Sequence, residues 1–150
     1  MKSFLGKAKI PTIKFSMLPD NTFFNGEIPE GYNLLVCPGI YTVIDVDIDT
    51  EKNKNGFNNI PADIYFELRE TFNYKTKRGG GHYWVLYTGN KQLGNKTSEF
   101  DIDLRVGERK GNAGGYAKYV HSVDIRECTH LINSTSSNLN NWLERLFSYV

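Results

Sequence analysis

Apolar and polar residues alternate most strictly over residues 41–48 (YTVIDVDI). Val43, Asp45 and Asp47 fall on one parity, continued by Asp49, while Ile44, Val46 and Ile48 fall on the other. A period of two predicts a β-strand that buries its aliphatic face and presents its carboxylates on the opposite one. Residues 82–87 (HYWVLY), 100–106 and 115–120 predict further strands. A shorter strand is expected at 33–37, ending at Pro38-Gly39, with minor ones at 9–15 and 74–77. Residues 61–72 predict a helix with Pro61 near its first turn and Ile64, Phe66, Leu68 and Phe72 as its apolar bulk. Residues 141–149 predict a second, short helix, 50–58 a polar loop, and 1–32 an irregular segment broken by Pro and Gly. Strands and helices mix without a repeat or a dinucleotide-binding fingerprint. The expected fold is therefore α+β, with a mixed or largely antiparallel sheet in one domain spanning 1–150.

Composition changes this picture little. At 150 residues, 39% hydrophobic and 23% charged, the chain suits one globular core. No apolar run approaches the roughly 18 residues that cross a bilayer, and the N-terminus lacks a signal-peptide core. A cytoplasmic protein without a membrane partner is expected. Cys37 and Cys128 are far apart and match no zinc spacing, so they are expected as free thiols. Net charge is only +1, so any nucleic-acid binding must come from a local patch. The charges are indeed uneven. Lys75, Lys77 and Arg78 cluster, as do Arg105, Arg109 and Lys110, while acidic groups gather at 45–51 and 99–103. Concentrated carboxylates repel unless cations sit between them.

Three constellations carry candidate chemistry. Asp45 and Asp47, on one strand face, become favourable neighbours when a hard cation such as Mg²⁺ or Mn²⁺ bridges them. Taken alone, the pair reads more readily as a solvent-facing strand end. Arg78-Gly79-Gly80-Gly81-His82 places three glycines before a strand, where backbone N–H groups can cradle an anion and His82 can donate to a phosphate. Alone, it is equally a hairpin turn followed by a packing histidine. In Asp101-Ile102-Asp103-Leu104-Arg105, alternation puts Asp101, Asp103 and Arg105 on one face, suited to a metal and a phosphate or to a surface ion-pair ladder.

Taken in order, VIDVDIDTEKNKNG, TKRGGGHYWVLY and IDLRVGERKGNAGGYAKYVHS resemble the prim-pol branch of the archaeo-eukaryotic primase superfamily over residues 33–122. Arg78 stands where the family has a small serine, the stretch from Arg105 to Gly114 is longer than the pattern, and His121-Ser122 replace a segment that commonly contains proline. The resemblance implies an RRM-like sheet with flanking helices, the primase catalytic core, carrying the site on its open face. It implies Asp45, Asp47 and Asp103 as catalytic metal ligands and His82 as a contact to the incoming nucleotide, with Asp49 and Asp101 as lesser rivals. The implied partners are NTP or dNTP, single-stranded or primed DNA, and a helicase domain or protein, in a viral, plasmid or other mobile-element replication system. The short segment ahead of the Asp-x-Asp strand and the lack of a helicase or helix-bundle segment favour extension over initiation.

The expected mechanism uses two divalent ions about 3.5–4 Å apart to activate a primer 3′-hydroxyl and neutralise the triphosphate. The backbone of Gly79 to Gly81, with Arg78, His82 and Arg105, would hold the triphosphate. Lys75, Lys77, Arg78, Arg109 and Lys110 would follow nucleic-acid phosphates. Tyr83, Trp84, Tyr87 and Tyr116 are candidates for base stacking, although aromatic strand residues are commonly core. Two other classes compete. A metal-dependent nuclease or nucleotide hydrolase would use the same carboxylates, and a non-catalytic module would bind nucleotide or single strands without incorporation. A nicking endonuclease of the Rep type is disfavoured, because His121 and His130 do not form a His-x-His pair.

Overall fold

The structure is a computed structural model that describes residues 1–7, 10–13, 17–19, 21–94, 96–97, 100–107, 120–122 and 130–148. In chain order the strands are β1 (Lys2–Lys7), β2 (Ile10–Pro11), β3 (Tyr32–Cys37), β4 (Thr42–Val46), β5 (Ile48–Asp49) and β6 (Lys54–Asn55). A 3₁₀ turn at Gly56–Asn59 leads into helix α1 (Ala62–Glu70). Then follow β7 (Asn73–Lys75), β8 (Gly81–Leu86), β9 (Lys96–Thr97), β10 (Ile102–Val106), β11 (Val120–Ser122), β12 (Asn133–Ser134) and helix α2 (Ser137–Phe147).

The alternating segment forms β4, at the centre of a sheet ordered β12-β8-β4-β10-β9. Strand β8 runs antiparallel to β4 on one side and β10 antiparallel on the other. Strand β7 pairs with the start of β8 and β12 with its end. The aliphatic parity does what its period requires. Ile44 and Val46, with Tyr83, Val85, Ile102, Leu104 and Val106, pack under Ile64 and Leu68 of α1 and Leu139, Trp142, Leu143 and Phe147 of α2. Ile64 and Leu68 are four residues apart and so share one helix face. Phe66, on the opposite face, is exposed rather than part of the apolar bulk expected of it.

The opposite face of the sheet is half covered. Val43 and Trp84 are fully buried against Leu34 and Val36 of a second sheet, ordered β11-β3-β1-β2. The N-terminal segment is thus not irregular, because β1 pairs with β3 over its whole length, from Lys2–Cys37 to Lys7–Tyr32. The layers are helices, central sheet and second sheet. The α+β expectation holds, with antiparallel pairing except for β12 against β8.

Several local expectations differ from the structure. The strand at 41–48 stops at Val46, and Ile48–Asp49 instead pairs with Lys54–Asn55, making a small hairpin where a polar loop was expected. Ile48 is consequently half-buried instead of core. The proposed stacking residues Tyr83, Trp84 and Tyr87 are buried at 6%, 0% and 6% exposure, so they are core rather than base platforms. Tyr116 and most of the 115–120 strand lie outside the described residues. A split β-α-β unit separates its two strands by a third. Here β4 and β8, which flank α1 in sequence, pair with each other directly. Among the described residues, no helix is long and apolar enough to cross a membrane.

Candidate metal centre

Strand register assembles the site. Asp45 of β4 lies opposite Asp103 of β10 and opposite His82 of β8. Directly paired residues project from the same face, so His82, Asp45 and Asp103 form a row across the sheet. One step along each strand's parity lie Trp84, Val43 and Arg105, also in register. The row therefore begins where the apolar cover over Val43 and Trp84 ends.

Asp47 joins by a different route, beyond the end of β4. Its N–H donates to the Asp101 carbonyl at 2.9 Å, and its own carbonyl accepts from Gly56 N–H at 2.8 Å. These two bonds hold its backbone between the start of β10 and the 3₁₀ turn. One carboxylate oxygen from each of Asp45, Asp47 and Asp103 then lies within 4.8 Å of the others, an arrangement that could hold a metal ion. Asp45 is half-buried, Asp47 exposed and Asp103 buried.

The electrostatics are unfavourable without a cation. Like charges at such a spacing repel by about 3 kcal/mol at the effective dielectric of a protein, before solvent screening. The carboxyl of Asp47, open to solvent on one side, is pushed up to about 6, first by the partial desolvation its neighbours impose, then by the charges of Asp45 and Asp103. Asp103 has one oxygen 3.5 Å from Arg105. Its other oxygen, Oδ1, is buried with no hydrogen-bond partner. An unsatisfied buried acceptor costs about 1–3 kcal/mol, and more when charged. A hard divalent cation, which takes oxygen ligands, removes both penalties at once.

The rival aspartates are engaged elsewhere. Asp49 pairs with Arg78 at 3.3 Å and accepts from Lys52 N–H, while Asp101 pairs with Lys54 at 3.7 Å. Asp101 also has a positive φ of 61°, which takes it off the parity of Asp103.

His82 is buried, and both ring nitrogens have neighbours. Nδ1 lies 2.9 Å from the Tyr74 hydroxyl and Nε2 lies 3.3 Å from Asp45 Oδ1. In this arrangement the imidazole steadies a carboxylate. Residue types alone did not point to Tyr74; its alignment opposite His82 in the β7–β8 pairing does.

The glycine loop is shaped by packing. Gly79 has a positive φ of 88° and gives its N–H to the Thr76 carbonyl at 3.0 Å. A side chain on Gly80 would strike the Val46 carbonyl, so glycine there lets the loop lie on the end of β4. Gly81 pairs with Val46 in the ladder. Arg78 and Lys77 flank this loop, with Lys77 reaching Asn33 at 3.2 Å, and Lys75 stands exposed at the end of β7. Arg105 is partly exposed beside Asp103. Arg109 and Lys110 lie outside the described residues.

No protein-family model matches this chain, and no curated protein matches it.

Proposed function

We propose that this chain is a metal-dependent nucleotidyltransferase domain of the prim-pol kind, which extends a primed nucleic-acid strand with nucleoside triphosphates. The observation that carries the reading is the carboxylate cluster itself, with one ligand oxygen each from Asp45, Asp47 and Asp103 within 4.8 Å of one another and the buried Oδ1 of Asp103 left without a hydrogen-bond partner. Support also comes from the order of the three motifs along the chain. The RRM-like core of that family is matched here only in its general form, an antiparallel sheet with helices on one face.

In this reading Asp45, Asp47 and Asp103 hold Mg²⁺ or Mn²⁺, two ions in the full reaction. Bound there, such ions make a primer 3′-hydroxyl more acidic and neutralise charge on the triphosphate. The hydroxyl oxygen attacks the α-phosphorus and pyrophosphate leaves. The chain's own groups position and compensate charge, the main protein contribution to phosphoryl transfer. Arg105, beside Asp103, and Arg78 meet the triphosphate. His82 acts through Asp45, so the direct phosphate contact expected of it passes to these guanidiniums. Lys75 and Lys77 extend the basic rim towards template phosphates.

The glycine loop favours a second reading. Gly79 N–H is already used within its turn and Gly80 is fitted to β4, which weakens the case for a preformed triphosphate cradle. A metal-dependent phosphodiesterase or nucleotide hydrolase needs the carboxylates without the cradle. One assay separates the two. Labelled primed and unprimed templates are incubated with NTPs or dNTPs in Mg²⁺ or Mn²⁺. Lengthening of the primer supports the proposal. Shortening of the strand, or release of phosphate without lengthening, selects the hydrolytic alternative.

A further inference from the structure

The row of paired residues across the sheet extends one strand beyond the carboxylates. Tyr74 on β7 lies opposite His82 on β8, which lies opposite Asp45 on β4. The Tyr74 hydroxyl is also 3.1 Å from Trp84 Nε1. An indole nitrogen only donates, so this oxygen accepts a bond from Trp84. The same oxygen is 2.9 Å from His82 Nδ1, and His82 Nε2 is 3.3 Å from Asp45 Oδ1.

We propose that Tyr74 is a positioning residue for the metal centre, whose hydroxyl holds the ring of His82 in the orientation that keeps Nε2 on Asp45, and thereby steadies that carboxylate. The direction of each bond follows from its end. A carboxylate only accepts, so Nε2 carries hydrogen towards Asp45. In the neutral ring Nδ1 then holds the lone pair, and Tyr74 O–H donates to it. A hydroxyl can accept from Trp84 and donate to the imidazole through one atom. Its frame is rigid. Trp84 is fully buried, and Phe72 makes edge contacts with both Tyr74 and Trp84 at 6.0 Å between ring centres. The Tyr74 and His82 rings also meet edge-on at 5.2 Å. A group bonded directly to a ligand, as His82 is to Asp45, typically changes metal affinity about 10–100-fold when removed, and Tyr74 acts one bond further out, through His82. The consequence for metal rests on the proposed role of Asp45, while the tautomer itself does not.

The test uses the whole chain labelled with ¹⁵N-histidine, with His82 assigned by comparison with His82→Gln. Two-bond ¹⁵N–¹H correlation spectra of the metal-free protein read the tautomer, and calorimetric titration with Mn²⁺ reads affinity. The wild type is expected to show the Nε2–H form at His82. Tyr74→Phe, which keeps the ring and loses only the hydroxyl, is expected to keep Nε2–H, to shift the Nδ1 resonance as its hydrogen bond is lost, and to weaken Mn²⁺ binding by up to about tenfold. A wild-type spectrum with Nδ1–H overturns the relay whether or not the variant folds, as does Tyr74→Phe with an unmoved Nδ1 resonance and unchanged affinity. Wild-type protein that shows Nε2–H but binds no Mn²⁺ instead removes the proposed function and leaves the relay standing.

Discussion

Gly56 donates its N–H to the carbonyl of Asp47 at 2.8 Å, and its α-carbon is packed so closely against the Asp101 carbonyl that an added methyl group would collide with it. The exposed member of the carboxylate triad is therefore positioned by a residue nine places further along the chain. Asp47 stands beyond the last residue of β4 and has no ladder partner in that strand. The turn at Gly56 supplies one in its place.

Gly56→Ala should consequently push the 3₁₀ turn away from β10 and release Asp47. Overpacking of this kind costs about 1–3 kcal/mol. The expected outcome is a lowered urea midpoint together with weaker divalent-metal binding. A midpoint and an affinity equal to wild type would show that the turn has no part in placing Asp47.

Removing one charge from the triad should stabilise the metal-free protein. Asp103→Asn keeps the shape and replaces an unsatisfied acceptor by an amide that can donate to the neighbouring carboxylates. The metal-free melting temperature is expected to rise, by roughly 2–4 °C for each kcal/mol relieved in a domain of this size. In the primer assay the same variant should incorporate no nucleotide. A lower melting temperature would mean that Arg105, 3.5 Å away, already compensates the Asp103 charge.

Asp47 gives the protein a pH signature. Its folded carboxyl is raised from 3.8 to about 6, by partial desolvation and then by Asp45 and Asp103. Between those values the folded state binds more protons than the unfolded chain, so stability falls as pH rises. The contribution is fully present below 3.8 and is lost as pH passes through about 6. Metal-free wild type should thus melt higher at pH 4.5 than at pH 7, relative to Asp47→Asn at the same two values. Thermal melts of both proteins in buffers free of divalent ions check this, and parallel pH profiles would contradict it. Because the metal competes with that proton, Mn²⁺ affinity should increase over the same window.

The basic rim should reveal itself through salt. Lys75, Lys77 and Arg78 project near the β7–β8 turn, with Arg78 mostly exposed despite its contact with Asp49. Replacing all three by Ala should weaken single-strand binding equally for unrelated sequences and make the slope of log affinity against log salt shallower by about 2. Fluorescence anisotropy at graded NaCl measures the slope. An unchanged slope would place the nucleic acid on another surface.

How much of this was legible in the sequence follows from which features are local. The split between Asp45 and its buried neighbours Ile44 and Val46 is a period of two, and the strand formed as that period requires. The same holds for Asp103 between Ile102 and Leu104. What failed is non-local. Strand β3 is buried at four successive positions, Leu34 and Val36 against the central sheet and Leu35 and Cys37 in a cluster with Phe4 and Leu18, so no alternation announces the sheet it shares with β1. Ile48 left the core parity because Asp101, with its positive φ, takes the Asp47 N–H and turns the chain into a hairpin. The engagement of His82 depends on Tyr74 falling opposite it, and register across the glycine turn between β7 and β8 is not written in residue types. Tyr83 and Tyr87 carry the same aromatic signal as a stacking platform would, and only the helices packed over them decide the matter.

The central claim is that three carboxylates form one cation site, and calorimetric titration of Mn²⁺ into wild type and Asp103→Asn at pH 7.5 tests it most directly. Saturable binding by the wild type that is lost or greatly weakened in the variant is the predicted result. Equal binding by both proteins, or none by the wild type, would contradict the account.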